Sequence, residues 1–175
     1  MKKIKVIQFG LGPIGIESLK LAAEQSWLEV TGGVDIDPTK TGKSLGELTG
    51  VSTLNSAKVF PSLDALFATV GTPDVVLHTA GSSAAASFAQ MKPALERGIS
   101  VASTCEELIF PALKTPDLAK EYDDLCRRSG ARIAGTGVNP GFVMDILPIC
   151  LTGVSREVKS SYVERVVNAS TRRQP

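Results

Sequence analysis

Histidine and cysteine are scarce in this 175-residue sequence, which holds one His and three Cys. Cys105, Cys126 and Cys150 are odd in number, widely spaced and form no C-x-x-C pair, a pattern that argues against a disulfide framework and a zinc site. Reduced thiols fit the cytoplasm, the expected location. A charge excess is also missing. Lys and Arg number 19 against 18 Asp and Glu, so net charge +1 gives the chain no electrostatic reason to seek nucleic acid or an anionic membrane. No stretch approaches the roughly 20 continuous apolar residues of a membrane span. The basic start Met1-Lys2-Lys3 does not open a signal peptide, because Lys5, Gln8 and Pro13 interrupt the apolar run behind it. Repeats and low-complexity segments are absent. What is there is an ordinary globular balance, 43% hydrophobic and 21% charged, at a length that suits one domain and a small-molecule partner.

Apolar β-rich runs alternate with helical stretches along nearly the whole chain. That alternation predicts an α/β fold, a doubly wound parallel sheet of the Rossmann kind, over residues 1–150. Strands are expected at "KIKVIQF", "LEVTGGVDI", "KVF", "PDVVLHTA", "ISVAST" and "ARIAGTGVN". Between them, helices are expected from Pro13 to Glu24, at "LDALFATV" with Ser62 as its cap, and at "GSSAAASFAQMKPALERG", where Pro93 introduces a kink. A further helix in "TPDLAKEYDDLCRRSG" has Thr115 as cap, Pro116 at its first position and Gly130 at its stop, and another starts near Pro140. The final run "VKSSYVERVVNAS" reads as a strand for which the preceding sheet leaves no place. Residues 151–175 are therefore expected to begin a second, α+β domain.

The stretch "FGLGPIG" follows the first strand and opens the first helix. In that context its three glycines have separate tasks. Gly10 allows the tight turn, Gly12 removes a side chain where a pyrophosphate approaches the backbone, and Gly15 lets helix and strand pack closely. Pro13 and Ile14 begin the helix, whose free amides and positive dipole end suit an anion, and Pro13 sacrifices no hydrogen bond there. Asp35 ends the second strand 25 residues after Gly10 and supplies the carboxylate that holds an adenosine ribose. The cofactor expected is NAD or NADP. Asp35 and Asp37 repel a 2′-phosphate and favour NAD, while Lys40 and Lys43 weaken that preference. "TGKSLGEL" is not a phosphate loop, because Asp37 stands where that motif needs glycine; it caps a short helix instead.

Other strand ends should open on the same crevice. Thr79, Gly81 and Ser82 follow "VVLH" and could border the cofactor, while His78 itself reads as a packed residue before a catalytic one. "STCEEL" ends the next strand with Glu106 and Glu107, which either hold a cationic substrate or favour a first helical turn. Cys105 as a thiolate nucleophile is the weaker alternative, since no activating His lies nearby. Asn139 in "GTGVNPGF" can donate to and accept from a nicotinamide carboxamide, or serve as a turn residue.

Read together, "VIQFGLGPIG", "VDIDP", "TGKSLGEL", "STCEELIFP" and "GTGVNPGFVMDILP" resemble the N-terminal Rossmann domain of the dihydrodipicolinate-reductase-like group, and within it the 2,4-diaminopentanoate dehydrogenases and native amine dehydrogenases. The resemblance implies an NAD(P)-dependent oxidoreductase that deaminates an amine, or aminates a ketone with ammonia through an imine. It implies that Glu106 or Glu107 binds ammonia or the iminium and that Asn139 lies by the nicotinamide. It also implies a homo-oligomer joined through a C-terminal domain. A cyclic-imine reductase and a dinucleotide-binding module without catalysis are the alternatives.

Overall fold

The computed structural model of the chain describes residues 2–168 and 170. Six strands, β1 (Ile4–Phe9), β2 (Leu28–Val34), β3 (Val59–Phe60), β4 (Val75–His78), β5 (Ser100–Ser103) and β6 (Ile133–Gly135), form one sheet in the order β3-β2-β1-β4-β5-β6. Every pairing is parallel. The order reverses between β1 and β4, and such a switch point leaves a crevice beyond the strand ends. The six strands predicted for the sheet are all present. Several are shorter than the apolar runs that announced them, because a residue counts as strand only where a neighbour pairs with it.

Helices cover both faces. α3 (Leu63–Val70), α4 (Ala84–Glu96) and α5 (Pro116–Ser129) enclose one cluster around Ile7, Leu66, Met91 and Leu95, and α1 (Pro13–Glu24) and α2 (Leu45–Thr49) enclose a second around Leu11, Leu19 and Leu45. Their ends follow local chemistry. The Ser62 hydroxyl accepts from the Ala65 amide at 3.2 Å to start α3, and Ser44 and Glu47 form a reciprocal capping box on α2. Gly130 stops α5 in the left-handed conformation at φ +80°. Thr115 differs from expectation. Its hydroxyl donates back to the Pro111 carbonyl at 3.1 Å and makes no cap bond with α5, because a 3₁₀ turn over Pro111–Leu113 brings that carbonyl within reach first. α4 passes through Pro93 as one continuous helix.

The last helix, α6 (Leu147–Thr152), follows a π turn over Phe142–Ile146, so the expected domain boundary at residue 150 falls inside it. Beyond it, residues 156–168 form neither helix nor strand, and Tyr162 and Val166 are exposed. The predicted strand "VKSSYVERVVNAS" is therefore absent among its described residues, for β-rich composition makes a strand only where an edge is offered for pairing. Residues 169 and 171–175 of this C-terminal stretch lie outside those described.

Leu66 is fully buried at the contact of α3 with the sheet. Leu66→Ala should cost about 2–5 kcal/mol, read as a lower urea midpoint at unchanged m-value.

Candidate functional site

Pairing in register aligns the strand ends into a single row, Phe60, Val34, Phe9, His78, Ser103 and Gly135. One further amide extends each ladder past the row: Gly10 to Val34 O, Asp35 to Phe60 O, Thr79 to Phe9 O, Thr104 to His78 O and Thr136 to Ser103 O, at 2.7–3.1 Å. The site residues expected from the sequence leave the sheet within a few residues of this edge.

The glycine turn is sterically exacting. Gly10 has φ +88°, and a Cβ there would meet the Ala80 methyl at 2.9 Å; a Cβ on Gly15 would collide with the Gly10 carbonyl oxygen. Gly12 is the N-cap of α1, Pro13 fills its first position and Ile14 is exposed in its first turn. A residue that sequence reasoning missed supports the turn from below. Gln8, wholly buried, donates its side-chain amide to Thr79 Oγ1 at 2.9 Å and to the Gly10 carbonyl at 3.2 Å, and the Thr79 hydroxyl donates to the same carbonyl at 2.9 Å. A lone polar residue inside "KVIQF" was the available signal.

Asp35 closes the crevice from β2. One carboxylate oxygen accepts from the Leu11 amide at 2.7 Å and from Lys40 Nζ at 3.1 Å, while the other accepts from the Asp37 amide at 2.9 Å. Burial alone would raise its pKa; the Asp37 and Leu11 amides and Lys40 outweigh burial and hold it below the ordinary carboxylate value. A cavity of about 520 Å³ lies over this turn, bordered by Gly10, Gly12, Asp35, Lys40, Thr79 and Gln90. Gly81 and Ser82 are exposed in the next loop, between β4 and α4, and do not border it.

The two glutamates part company. Both sit in a 3₁₀ turn, Glu106–Leu108, after β5. The Glu107 carboxylate accepts from the Ala84 amide at 2.9 Å, at the start of α4, and from Lys114 Nζ at 3.3 Å; the amide and then Lys114 hold its pKa down against burial. The Glu106 carboxylate has no hydrogen-bond or ion-pair partner among the described residues, while its backbone carbonyl accepts from the Ile109 amide at 3.1 Å. Both glutamates border a second cavity of about 370 Å³, with Lys114, Asp145, Ile109, Phe110 and Leu113 around them, so what separates the two is their partners. Gly137 stands against the Glu106 stem, where a Cβ would come within 2.9 Å of Glu106 Cγ. Asn139 is exposed in the turn closed by the Val138–Gly141 bridge. Cys105 is fully buried, and His78 is packed against Phe9 with both ring nitrogens hydrogen-bonded, so neither is presented to a substrate.

A parallel sheet of this order, with a glycine turn from β1 into α1 and an acid ending β2, defines the Rossmann class of α/β fold. No family model matches the chain. It is 34% identical over 174 residues, 97% of its length, to 2,4-diaminopentanoate dehydrogenase of Acetoanaerobium sticklandii, of which it covers 48%. The solved structure of an amine dehydrogenase from Mycobacterium smegmatis superposes with a TM-score of 0.74 at 22% identity, covering 87% of this chain and 45% of that one. A dipicolinate-bound dihydrodipicolinate reductase from Paenisporosarcina superposes at 0.54 and 18% identity over 77% of this chain and 48% of that one. The chain is thus a relative of 2,4-diaminopentanoate dehydrogenase, as its motifs indicated, and it spans about half the length of the curated relatives it matches. No described helix is long and apolar enough to cross a membrane.

The Asp35 bonds set a pH dependence. Because its folded pKa lies below the ordinary 3.8, its stabilising contribution is complete above that value and is lost as pH falls through the folded pKa. Wild type should exceed Asp35→Asn by roughly 1–3 kcal/mol in urea unfolding at pH 6, and the gap should shrink below pH ~3.8.

Proposed function

We propose that the chain is the cofactor-binding part of an NAD(P)-dependent oxidoreductase that acts on a C–NH2 or C=N group. The observation that carries this reading is Glu106, a carboxylate free of protein partners among the described residues, set beside an apolar cavity at the same sheet edge as the glycine turn. Relatedness to a diamino-acid dehydrogenase supports it.

The residues present fit a dinucleotide. The close packing of the glycine turn against Ala80 and the Gly10 carbonyl leaves no room for a Cβ at Gly10 or Gly15, and the first amides of α1 are the unpaired donors that suit a pyrophosphate. Asp35, with Lys40 beside it, would face the ribose. When bound, the cofactor accepts hydride from an amine-bearing carbon or delivers it to an imine. Glu106 would act on the nitrogen. An iminium is cationic, so a carboxylate stabilises it as charge develops, and the same group can take the ammonium proton and return it. Glu107 is the less suitable candidate, since its two oxygens already hold the start of α4 and Lys114. Asn139 and the Thr79–Ser82 loop would border the nicotinamide and its ribose. The apolar rim of Ile109, Phe110 and Leu113 suits the carbon skeleton of an amine or ketone, with ammonia as the second reactant. In this reading residues 151–175 lead into a segment that completes the pocket and joins like subunits in a cytoplasmic enzyme.

The test is an assay of nicotinamide absorbance on the protein in the longest form its gene encodes, with NAD or NADP and small amines at alkaline pH. Turnover is expected with an amine, and Glu106→Gln should lower it by about 100-fold or more with cofactor affinity retained. Glu107→Gln should lower stability more than turnover. Oxidation of alcohols or aldehydes with no amine accepted would contradict the proposal.

A further inference from the structure

A chain of buried hydrogen bonds runs behind the crevice and fixes the direction of its last member. Gln90 Oε1, which can only accept, lies 2.8 Å from His78 Nε2, so Nε2 carries the ring proton and donates it. Nδ1 then accepts from the Ser103 hydroxyl at 2.8 Å, while Ser103 Oγ accepts from the Cys105 amide at 3.0 Å. Burial opposes protonation of His78, with the Gln90 bond acting the other way, and the balance holds its pKa below the ordinary value. Gln90 thus has its carbonyl oxygen engaged. Its side-chain NH2 has no partner among the described residues.

Gln90 borders two adjoining cavities, the 520 Å³ space over the glycine turn and a neighbouring one of about 200 Å³. The smaller space is walled by Phe9, Val34, Pro61 and Leu63, and Ile36 stands 90% exposed at the shared rim. Apolar walls beside a ribose-binding acid suit a flat heterocycle, whereas the phosphates have the glycine turn. We propose that Gln90, oriented by His78 and Ser103, donates a hydrogen bond to a ring-nitrogen acceptor of the cofactor's purine base and makes the site select adenine. The inference rests on the dinucleotide reading of the crevice and adds a base-reading residue to it.

The experiment compares two reduced dinucleotides that share sugars, pyrophosphate and nicotinamide: NADH, and its analogue with cytosine in place of adenine, whose single ring sets its acceptors back from Gln90. Dissociation constants are read from nicotinamide fluorescence for the wild type, Gln90→Leu and Ser103→Ala. Gln90→Leu should weaken NADH by about 5–10-fold, one hydrogen bond's worth, and change the cytosine analogue by less than about twofold. Ser103→Ala should weaken NADH by a smaller factor in the same ligand-selective way, through loss of orientation. A purely structural role would weaken both ligands alike, and that result overturns the inference, as does equal NADH affinity of wild type and Gln90→Leu. Failure of the wild type to bind NADH at all would defeat the dinucleotide reading and this inference together, so the two failures are distinguishable.

Discussion

Parallel pairing in register does the positional work in this protein. Because Phe60, Val34, Phe9, His78, Ser103 and Gly135 are mutual neighbours across the sheet, residues far apart in sequence leave it at one edge. Gly10, Asp35 and Thr79 border one cavity for that reason, and Glu106 leaves the same edge beside a second one. β1 and β2 take up one register shift between Val6 and Ile7, before the row; a slip of one residue at the row itself would turn side chains to the other face and move the strand-end loops apart. The buried faces of Ile7, Val76 and Val101 resist such a slip, since it would send apolar groups out of the core.

Buried polar groups then lock the loops to that edge. Gln8 and Thr79 hold the Gly10 carbonyl, Asp35 holds the Leu11 amide, and Ser103 with His78 ties β5 to β4 and to Gln90 on α4. Each bond is modest in net terms, but a buried polar group left without its partner is costly, so the network favours one arrangement of the turns. A crevice preorganised in this way spends little of its binding energy on ordering loops.

Much of this was legible in the sequence where the signal was local. α1 runs from Pro13 to Glu24 as its glycine turn implied, Ser62 caps α3, Gly130 stops α5, and "TGKSLGEL" caps a helix. Signals that depend on distant partners were not legible. The sequence shows Glu106 and Glu107 as equals; only the approach of α4 and Lys114 separates them, by occupying Glu107. Gln90 reads as one polar residue on a helix until His78, twelve residues earlier, reaches it. Thr115 looked like a cap, and a nearby carbonyl took its hydroxyl. The β-rich run from Val158 carried the right composition for a strand but met no edge, which composition cannot report.

The proposed role of the sheet's carboxyl edge is to bind a nicotinamide dinucleotide across the glycine turn. Amide chemical-shift mapping of the isotopically labelled protein titrated with NADH tests it most directly. The largest shifts should fall on the amides of Leu11, Gly12 and Ile14 to Ile16, on Asp35 and Ile36, and on Thr79 and Ala80. Shifts confined instead to the 260 Å³ groove between α5 and β6, around Leu108, Tyr122 and Cys126, would contradict it.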